Sequence, residues 1–231
     1  MQGMLATWTD FDPAGEADFN EWYNTEHLLE RAMVPGFYNA RRYVAVHGSP
    51  KYFAMYDTES PEVLTSPAYK HILENPTEWS MQVMPNFKNF DRCVAEQIYQ
   101  YGQGWAQIAL AFRISIPAEE VDRVADRLIE TVLPIATEAA GIVGLFLMKP
   151  LPPSGGPKPA ETKGAPITLF LSASCLDEHA ANDALHGALG PHALKSADIP
   201  ARFVKTGMYR FVCGVDRAVV DRARALQNKP A

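Results

Sequence analysis

The sequence predicts an α+β protein built from two similar halves, each with the element order β-α-β-β-α-β. Short runs rich in β-branched and aromatic residues alternate with segments whose apolar residues recur at helical spacing. Gly- and Pro-containing turns separate these segments. The order of elements then repeats, and through the first helix and the following strand the offset is constant at 105 residues, which pairs Val34-Pro35-Gly36-Phe37 with Ala139-Ala140-Gly141-Ile142. The repeat predicts a tandem duplication.

The first half, residues 1–103, contains four predicted strands and two predicted helices. Pro35-Gly36 ends the first helix, and Ser66-Pro67 provides a hydroxyl N-cap followed by proline at the first helical position of the second. A less regular stretch with Trp79 and Pro85 precedes the last strand. In order, the predicted elements are the strand Met4–Phe11, a helix from Glu16, the strands Phe37–Val46 and Lys51–Thr58, a helix from Ser66 to Glu74, and the strand Phe87–Tyr99.

The second half, residues 104–231, repeats this order around a Pro- and Gly-rich segment. That segment, Leu151–Pro166, is predicted to form a long exposed hairpin loop. The predicted elements are the strand Gln107–Ile116, a helix from Ala118, the strands Ile142–Met148 and Ile167–Cys175, a helix over Glu178–Leu189, and the strand Ala201–Val215.

The order β-α-β-β-α-β is that of the ferredoxin-like unit, in which helices cover one face of the sheet. The other face must also be covered. Two such sheets in one chain are therefore expected to pack as an intrachain α/β barrel. Association with a second copy of the chain is left open.

Composition narrows the classes of function. The chain is 47% hydrophobic and 21% charged, with a formal net charge of −6 and no basic run, which argues against a nucleic-acid binder. No signal-like segment or membrane-length apolar run is present, so we expect a cytoplasmic protein without membrane contact. Cys93, Cys175 and Cys213 lack metal-ligand spacing and are predicted to be buried, reduced thiols.

The densest group of polar residues lies on the first predicted helix. At 100° per residue, Tyr23, Glu26 and Glu30 fall within about 40° of the direction of Phe19, and His27 lies about 80° away. These groups therefore lie on or beside the stripe that faces the sheet. An imidazole near a carboxylate in an apolar site is a natural proton-transfer group at neutral pH.

The repeat helps to choose between a functional and a structural role for this helix. Glu26 could simply pair with Arg41 or Arg42 on the next strand. However, the 105-residue offset places Thr131 opposite Glu26 and Val132 opposite His27, and it pairs the two arginines with Phe146 and Leu147. Polar groups that the fold requires should recur in both halves. We therefore expect only the first half to hold a substantial polar-lined cleft.

Further candidates surround this helix. Arg41 and Arg42 point to opposite faces of one strand, and which of them faces the cleft is left open. His186 and His192 are interpreted as surface or capping residues. No metal site, phosphate loop or serine-hydrolase turn is recognised. Residues that could line or serve the cleft, with core packing as the competing role, are Tyr23, Trp22, Trp8, Tyr56, His71 and Asp10.

The stretch DFNEWYNTEHLLERAMVPGFYNARRY, residues 18–43, resembles the first helix and second strand of dimeric α/β-barrel proteins. These include the EthD-like, muconolactone-isomerase-like, small cofactor-free monooxygenase and polyketide-cyclase-like groups. The resemblance implies a cleft between helices and sheet in which the helix histidine, here His27, acts as acid, base or ligand anchor. The fold itself does not select a reaction.

The leading functional hypothesis is a cofactor-independent lyase, isomerase, dehydratase or cyclase that acts on a small, mostly apolar or aromatic molecule. In it His27 moves a proton, Glu26 orients the imidazole and Arg42 stabilises negative charge. Two alternatives remain. One is a haem- or oxygen-dependent oxidoreductase on the same fold, and the other is a non-catalytic protein that binds a small ligand.

Overall fold

A computed structural model describes residues 2–102, 104–151, 166–199 and 204–227. The predicted hairpin loop Leu151–Pro166 lies outside the described residues except at its two ends. Within the described ranges, no helix is long and apolar enough to cross a membrane.

Eight strands form an antiparallel barrel that closes on itself. Their hydrogen-bonding order is β1-β3-β2-β8-β5-β7-β6-β4. The prediction of an α+β barrel is thus confirmed, whereas the tandem ferredoxin-like arrangement stays a prediction. The strands are β1 Gly3–Asp10, β2 Phe37–His47, β3 Tyr52–Thr58, β4 Lys88–Tyr101, β5 Ile108–Pro117, β6 Ile142–Pro150, β7 Pro166–Cys175 and β8 Val204–Val215.

The chain divides into two compact units whose limits fall inside strands. The predicted halves 1–103 and 104–231 meet between elements, but the division runs through β4 after Val94 and through β8 after Phe211. The first unit comprises Met1–Ala45, Ser49–Val94 and Val212–Ala231, and the second comprises Val46–Gly48 and Ala95–Phe211.

In the first unit, β3 pairs with both β1 and β2, so Tyr56 lies between Leu5 and Ala40. These three side chains point to one face of the sheet, because directly paired residues of neighbouring strands share a face. They pack with the helical residues Phe19 and Trp22 in one apolar cluster. The helices of this unit are α1 Glu16–Trp22, α2 Leu28–Ala32, α3 Pro67–Glu74, α4 Glu78–Val83 and α9 Arg217–Gln227.

In the second unit, β7 pairs with β5 over ten residues and with β6 on its other edge. Leu110, Phe112 and Ile114 of β5 are all buried in the apolar cluster of this unit. The helices are α5 Val121–Arg127, α6 Leu133–Thr137, α7 Glu178–His186 and α8 Pro191–Ser196.

Three sequence predictions require correction. The stretch around Trp79 is the regular helix α4, which Thr77 caps by accepting a hydrogen bond from the Ser80 amide at 3.0 Å. The predicted helix over Glu178–Leu189 ends three residues earlier, as α7, and a separate helix, α8, begins beyond it at Pro191. The helix α9 was not predicted, although its Val220 is fully buried in the first unit's core.

The cysteines are unbonded, as their spacing predicted. Cys93 and Cys175 are buried, and burial raises the pKa of each thiol to about 12. Cys213 departs from the prediction because it is only half-buried.

Candidate functional site

A π-helical segment interrupts the polar helix of the first unit. Tyr23–His27 lies between α1 and α2, and the amide of Leu28 donates to the carbonyl of Tyr23 five residues earlier. A π turn holds more residues than an α turn, so each residue advances by a smaller angle. The segment therefore changes which side chains share a face of this helix. His27 and Arg31 are buried, whereas Glu26 and Glu30 are only half-buried.

A cavity of about 440 Å³ lies in the first unit, against His27 and Arg31. Its volume is within the range of about 300–1,000 Å³ that is usual for small-molecule sites. The walls are mainly aromatic and aliphatic, which suits an apolar molecule. The lining residues are Leu5, Thr7, Tyr23, His27, Arg31, Tyr56, Tyr69, Leu73, Met84, Phe87, Phe90 and Arg92.

The imidazole of His27 is held in a neutral form. Its ring lies 4.3 Å from the Trp22 ring and 4.8 Å from the Tyr23 ring, centroid to centroid. Burial lowers the pKa of His27 well below its usual value, and the positive charges of Arg31 and Arg42 lower it further. A neutral imidazole can accept a proton from a molecule in the cavity.

The guanidinium of Arg31 places a buried positive charge in the cavity wall. Its side chain is 5% exposed, and Nη1 is buried without a hydrogen-bond partner among the described residues. Nε lies 3.8 Å from Glu30 Oε2, which is beyond hydrogen-bond length. A buried cation with unused donors is suited to a ligand oxygen that carries negative charge.

Tyr23 and Tyr56 form a hydroxyl pair in the same wall, with 2.9 Å between their oxygens. Burial, followed by the neighbouring Tyr23, raises the pKa of Tyr56 well above its usual value. The Tyr56 phenol therefore stays neutral. Because one hydroxyl donates to the other, the second hydroxyl keeps a hydrogen that it can donate to a ligand oxygen.

Arg42, predicted as a catalytic group, lies behind this wall and does not line the cavity. Its guanidinium carbon lies 4.4 Å from the centre of the Tyr23 ring. It donates to Asn20 at 2.8 Å and to Asn24 at 2.6 Å. These contacts position Arg42 to support the helix and its tyrosine.

Three further predicted residues lie away from the cavity. Arg41 is on the other face of β2 and forms an ion pair with Asp57. Trp8, on the face of β1 opposite Leu5, stacks on Phe53 at 5.0 Å. Asp10 accepts hydrogen bonds from the Lys51 amide at 2.6 Å and from Asn89 at 2.8 Å, which joins the residue before β3 to the start of β4.

Glu26 and His71 line a second, larger space of about 840 Å³ in the first unit, here called the groove. Glu26 accepts a hydrogen bond from the Thr77 hydroxyl at 2.6 Å. The carboxylate beside the His27 imidazole is instead that of Glu30, whose Oε2 lies 3.7 Å from His27 Nδ1. Trp22 is fully buried, and its indole nitrogen donates to Ser80 at 3.2 Å. Trp22 therefore contacts the imidazole without lining the cavity.

The second unit also contains a cavity, so the expectation of a single polar-lined cleft in the first half is wrong. This cavity of about 460 Å³ is lined by His47, Asn182 and His186 among apolar residues. His186, interpreted as a surface or capping residue, bonds through Nδ1 to the Asn182 carbonyl oxygen at 2.7 Å.

Sequence reasoning missed Arg31, Tyr69 and Arg92, which all line the first-unit cavity. Arg31 follows His27 by four residues, a spacing that places two side chains on one helix face. That signal was available in the sequence. The other two residues are brought to the cavity by α3 and β4, and no local pattern indicates it. Within the described ranges, no group of three or more His, Cys, Asp or Glu residues could hold a metal ion.

No protein-family model matches the chain, and no curated protein matches its sequence. Solved structures share its fold. An anthrone oxidase-like protein has a TM-score of 0.69 at 14% identity, covering 94% of this chain and 93% of its own. A candidate monooxygenase from Lactobacillus acidophilus has a TM-score of 0.60 at 3% identity, covering 94% and 96%. A chlorite dismutase variant from Candidatus Nitrospira defluvii has a TM-score of 0.57 at 9% identity, covering 96% and 94%.

These similarities show the general dimeric α+β-barrel fold. They also correct the leading functional hypothesis. The neighbours bear the names of oxidases, monooxygenases and a chlorite dismutase, and the assignment to lyases and isomerases has no counterpart among them. The alternative of a haem- or oxygen-dependent oxidoreductase agrees better with this set of proteins.

Proposed function

We propose that the chain is an oxidoreductase that uses molecular oxygen to oxidise a small aromatic substrate in the first-unit cavity. The observation that carries this proposal is a neutral, buried imidazole beside an unsatisfied guanidinium in an aromatic-walled space. The name of the anthrone oxidase-like neighbour suggests the substrate class. This class comprises phenolic or polycyclic ketones with an acidic C–H bond.

The residues on different sides of the cavity have different roles in the proposed reaction. His27 takes the acidic proton of the substrate, because its neutral imidazole is the basic form. Arg31 and the hydroxyl pair of Tyr23 and Tyr56 stabilise the resulting enolate oxygen. The apolar walls hold the electron-rich anion where dissolved oxygen can react with it.

The overall reaction balances without a further reductant. A CH₂ group becomes a carbonyl, one oxygen atom of O₂ enters the product, and the other leaves as water. For anthrone, the products are anthraquinone and water. The four electrons that the carbon loses are the four that O₂ gains.

The direct test measures oxygen consumption and anthraquinone formation with anthrone in aerobic buffer. His27→Gln should lower turnover by about 10²–10⁴-fold, the usual loss for removing a general base. The control is His179→Gln, which replaces an exposed histidine of α7 in the second unit. Unchanged turnover in His27→Gln would reject His27 as the base, and no oxygen uptake by the wild type would reject the anthrone-like substrate.

An absorption spectrum of the purified protein separates the two versions of the oxidoreductase hypothesis. A neutral imidazole is also the form that binds haem iron, and Arg31 and Arg92 could pair with carboxylates of such a group. A Soret band that His27→Gln removes would therefore favour the haem-dependent version. Oxidation of anthrone by protein without such a band would favour the proposal made above.

The proposal extends to the origin of the chain and the group of proteins to which it is related. We infer that the chain arose by tandem duplication of a ferredoxin-like unit related to EthD-like proteins. In support, the strand orders β4-β1-β3-β2 and β8-β5-β7-β6 correspond under the repeat. Gly36 and Gly141, 105 residues apart, both have positive φ, at 90° and 82°. Cytoplasmic location and association with a second copy stay predictions.

A further inference from the structure

Glu30 lies between the cavity and the groove. Its Oε2 is 3.7 Å from His27 Nδ1 and has no hydrogen-bond partner among the described residues. The same side chain lines the groove, which has a volume of about 840 Å³. One carboxylate therefore approaches the cavity histidine on one side and a larger space on the other.

We propose that Glu30 is a positioning residue that passes protons from His27 to water in the groove. This inference rests on the proposed function. A proton from the substrate C–H bond binds His27 Nε2. The Nδ1–H bond then breaks as its proton moves to Glu30 Oε2, which leaves a neutral imidazole. Water in the groove removes the proton and restores the carboxylate. When the second oxygen atom of O₂ leaves as water, it takes the proton from Nε2, and a proton from the groove returns through Glu30 to Nδ1, which restores the starting tautomer.

The surroundings disfavour a charge that stays on His27. The imidazole is buried, and Arg31 and Arg42 both oppose a positive charge on it. Burial raises the pKa of Glu30, and although Arg31 lowers it, the charge of Glu26 raises it. The pKa values of imidazole and carboxyl thus move towards each other, which favours transfer between them.

The relay requires a small movement. The separation of 3.7 Å exceeds a normal hydrogen bond of about 2.9 Å, so the carboxylate must approach by roughly 1 Å. Oε2 itself is buried, so the carboxyl group must also rotate towards the groove before water there can take the proton. The titratable and charged groups around the pair come from six elements: Tyr23 and Glu26 of the π segment, Arg31 of α2, Arg42 of β2, Tyr56 of β3, Tyr69 and His71 of α3, and Arg92 of β4.

Oxygen uptake with anthrone tests the transfer. Glu30→Gln should lower kcat roughly 10-fold, less than loss of the base itself, and leave KM unchanged because Glu30 does not line the substrate cavity. Glu30→Ala should show the same loss, and added formate should restore turnover by replacing the missing carboxylate. Formate should not rescue Glu30→Gln, whose amide still fills the position. The control is Glu74→Gln, at the exposed end of α3. Wild-type kcat in Glu30→Gln would overturn the proposal.

NMR titration of the His27 imidazole tests the pair without turnover. Glu30→Gln removes a nearby negative charge, so the midpoint of the imidazole titration should fall, whereas Glu74→Gln should leave it in place. An unchanged midpoint in Glu30→Gln would overturn the relay, even if anthrone is oxidised. A lowered midpoint in a protein that does not oxidise anthrone would refute the proposed function and retain the coupled pair.

Discussion

The polar helix of the first unit and its counterpart in the second have the same backbone irregularity and different side chains. Tyr23–His27 and Leu128–Val132 are both π-helical, and the two segments are 105 residues apart. In each, an amide donates to a carbonyl five residues earlier, from Leu28 in one and from Leu133 in the other. The π segment thus accompanies the fold and does not by itself mark a functional site.

The two helices differ in the side chains that they bury at equivalent positions. His27 and Val132 are both buried, at 8% and 1% exposure, yet only the first can exchange a proton. Arg31 corresponds to Ala136, and both of these are buried as well. The second unit shows that this position can be filled by apolar residues. Polar groups at the equivalent buried positions of the first unit are therefore best explained by function.

Replacing His27 with valine, the residue at the equivalent position of the second unit, should have the largest effect on activity. In His27→Val, oxygen uptake with anthrone should fall by about 10²–10⁴-fold because the base is lost. The free energy of unfolding, from urea titration, should stay the same or increase, since an apolar residue replaces a buried polar one. Severe destabilisation together with full activity of the folded fraction would show that His27 is structural.

Substitutions at a second pair of equivalent residues, Tyr23 and Leu128, should separate the contribution of packing from that of hydrogen bonding. Leu128→Ala should lower the free energy of unfolding by about 2–5 kcal/mol, because Leu128 is fully buried in the second unit. Tyr23→Phe keeps the ring and removes only the bond to Tyr56, so the loss should be about 0.5–1.5 kcal/mol. Urea unfolding measures both. Equal losses would show that the two positions are not packed as described.

The smallest expected effect is a pH dependence of the free energy of unfolding, which His27 and Glu30 of the first unit contribute. Burial lowers the pKa of His27, so the unfolded chain, with a pKa of about 6.5, binds a proton that the folded chain does not. Stability should therefore decrease as the pH falls below about 6.5. The contribution of Glu30 to this pH dependence has the opposite sign. Its pKa is raised on folding, so its contribution to stability increases as the pH falls through its folded pKa.

Urea unfolding at pH 7.5 and 5.5 measures this dependence. His27→Gln should lose less stability than the wild type between these values, and Glu30→Gln should lose more. Val132→Thr, at the equivalent position of the second unit, supplies the control because it adds no titratable group. A wild-type pH dependence in His27→Gln would assign the effect to other groups.

Much of the candidate site was predictable, but its angular arrangement was not. Apolar spacing located the helix that carries His27, and the 105-residue offset identified the half with the polar version. The uniform rotation of 100° per residue then failed, because it placed Glu26 and Glu30 on the buried stripe. The π segment rotates the helix, which turns His27 and Arg31 to the cavity and both acids to the groove. A longer-range hydrogen bond of this kind leaves no clear pattern in the sequence.

By itself, the sequence determined the α+β class, most of the strands, the helix that carries His27 and the contrast between the halves. These features follow from local periodicity, turn residues and the internal repeat. Only the tertiary structure decided which arginine meets the cavity and which acid meets the imidazole. Arg41 and Arg42 are buried against partners 16 to 22 residues away along the chain, and these partners hold both arginines away from the cavity. Arg31 and Glu30 are close to His27 in sequence, but the directions of their side chains depend on the π-helical turn, which uniform helical spacing did not predict.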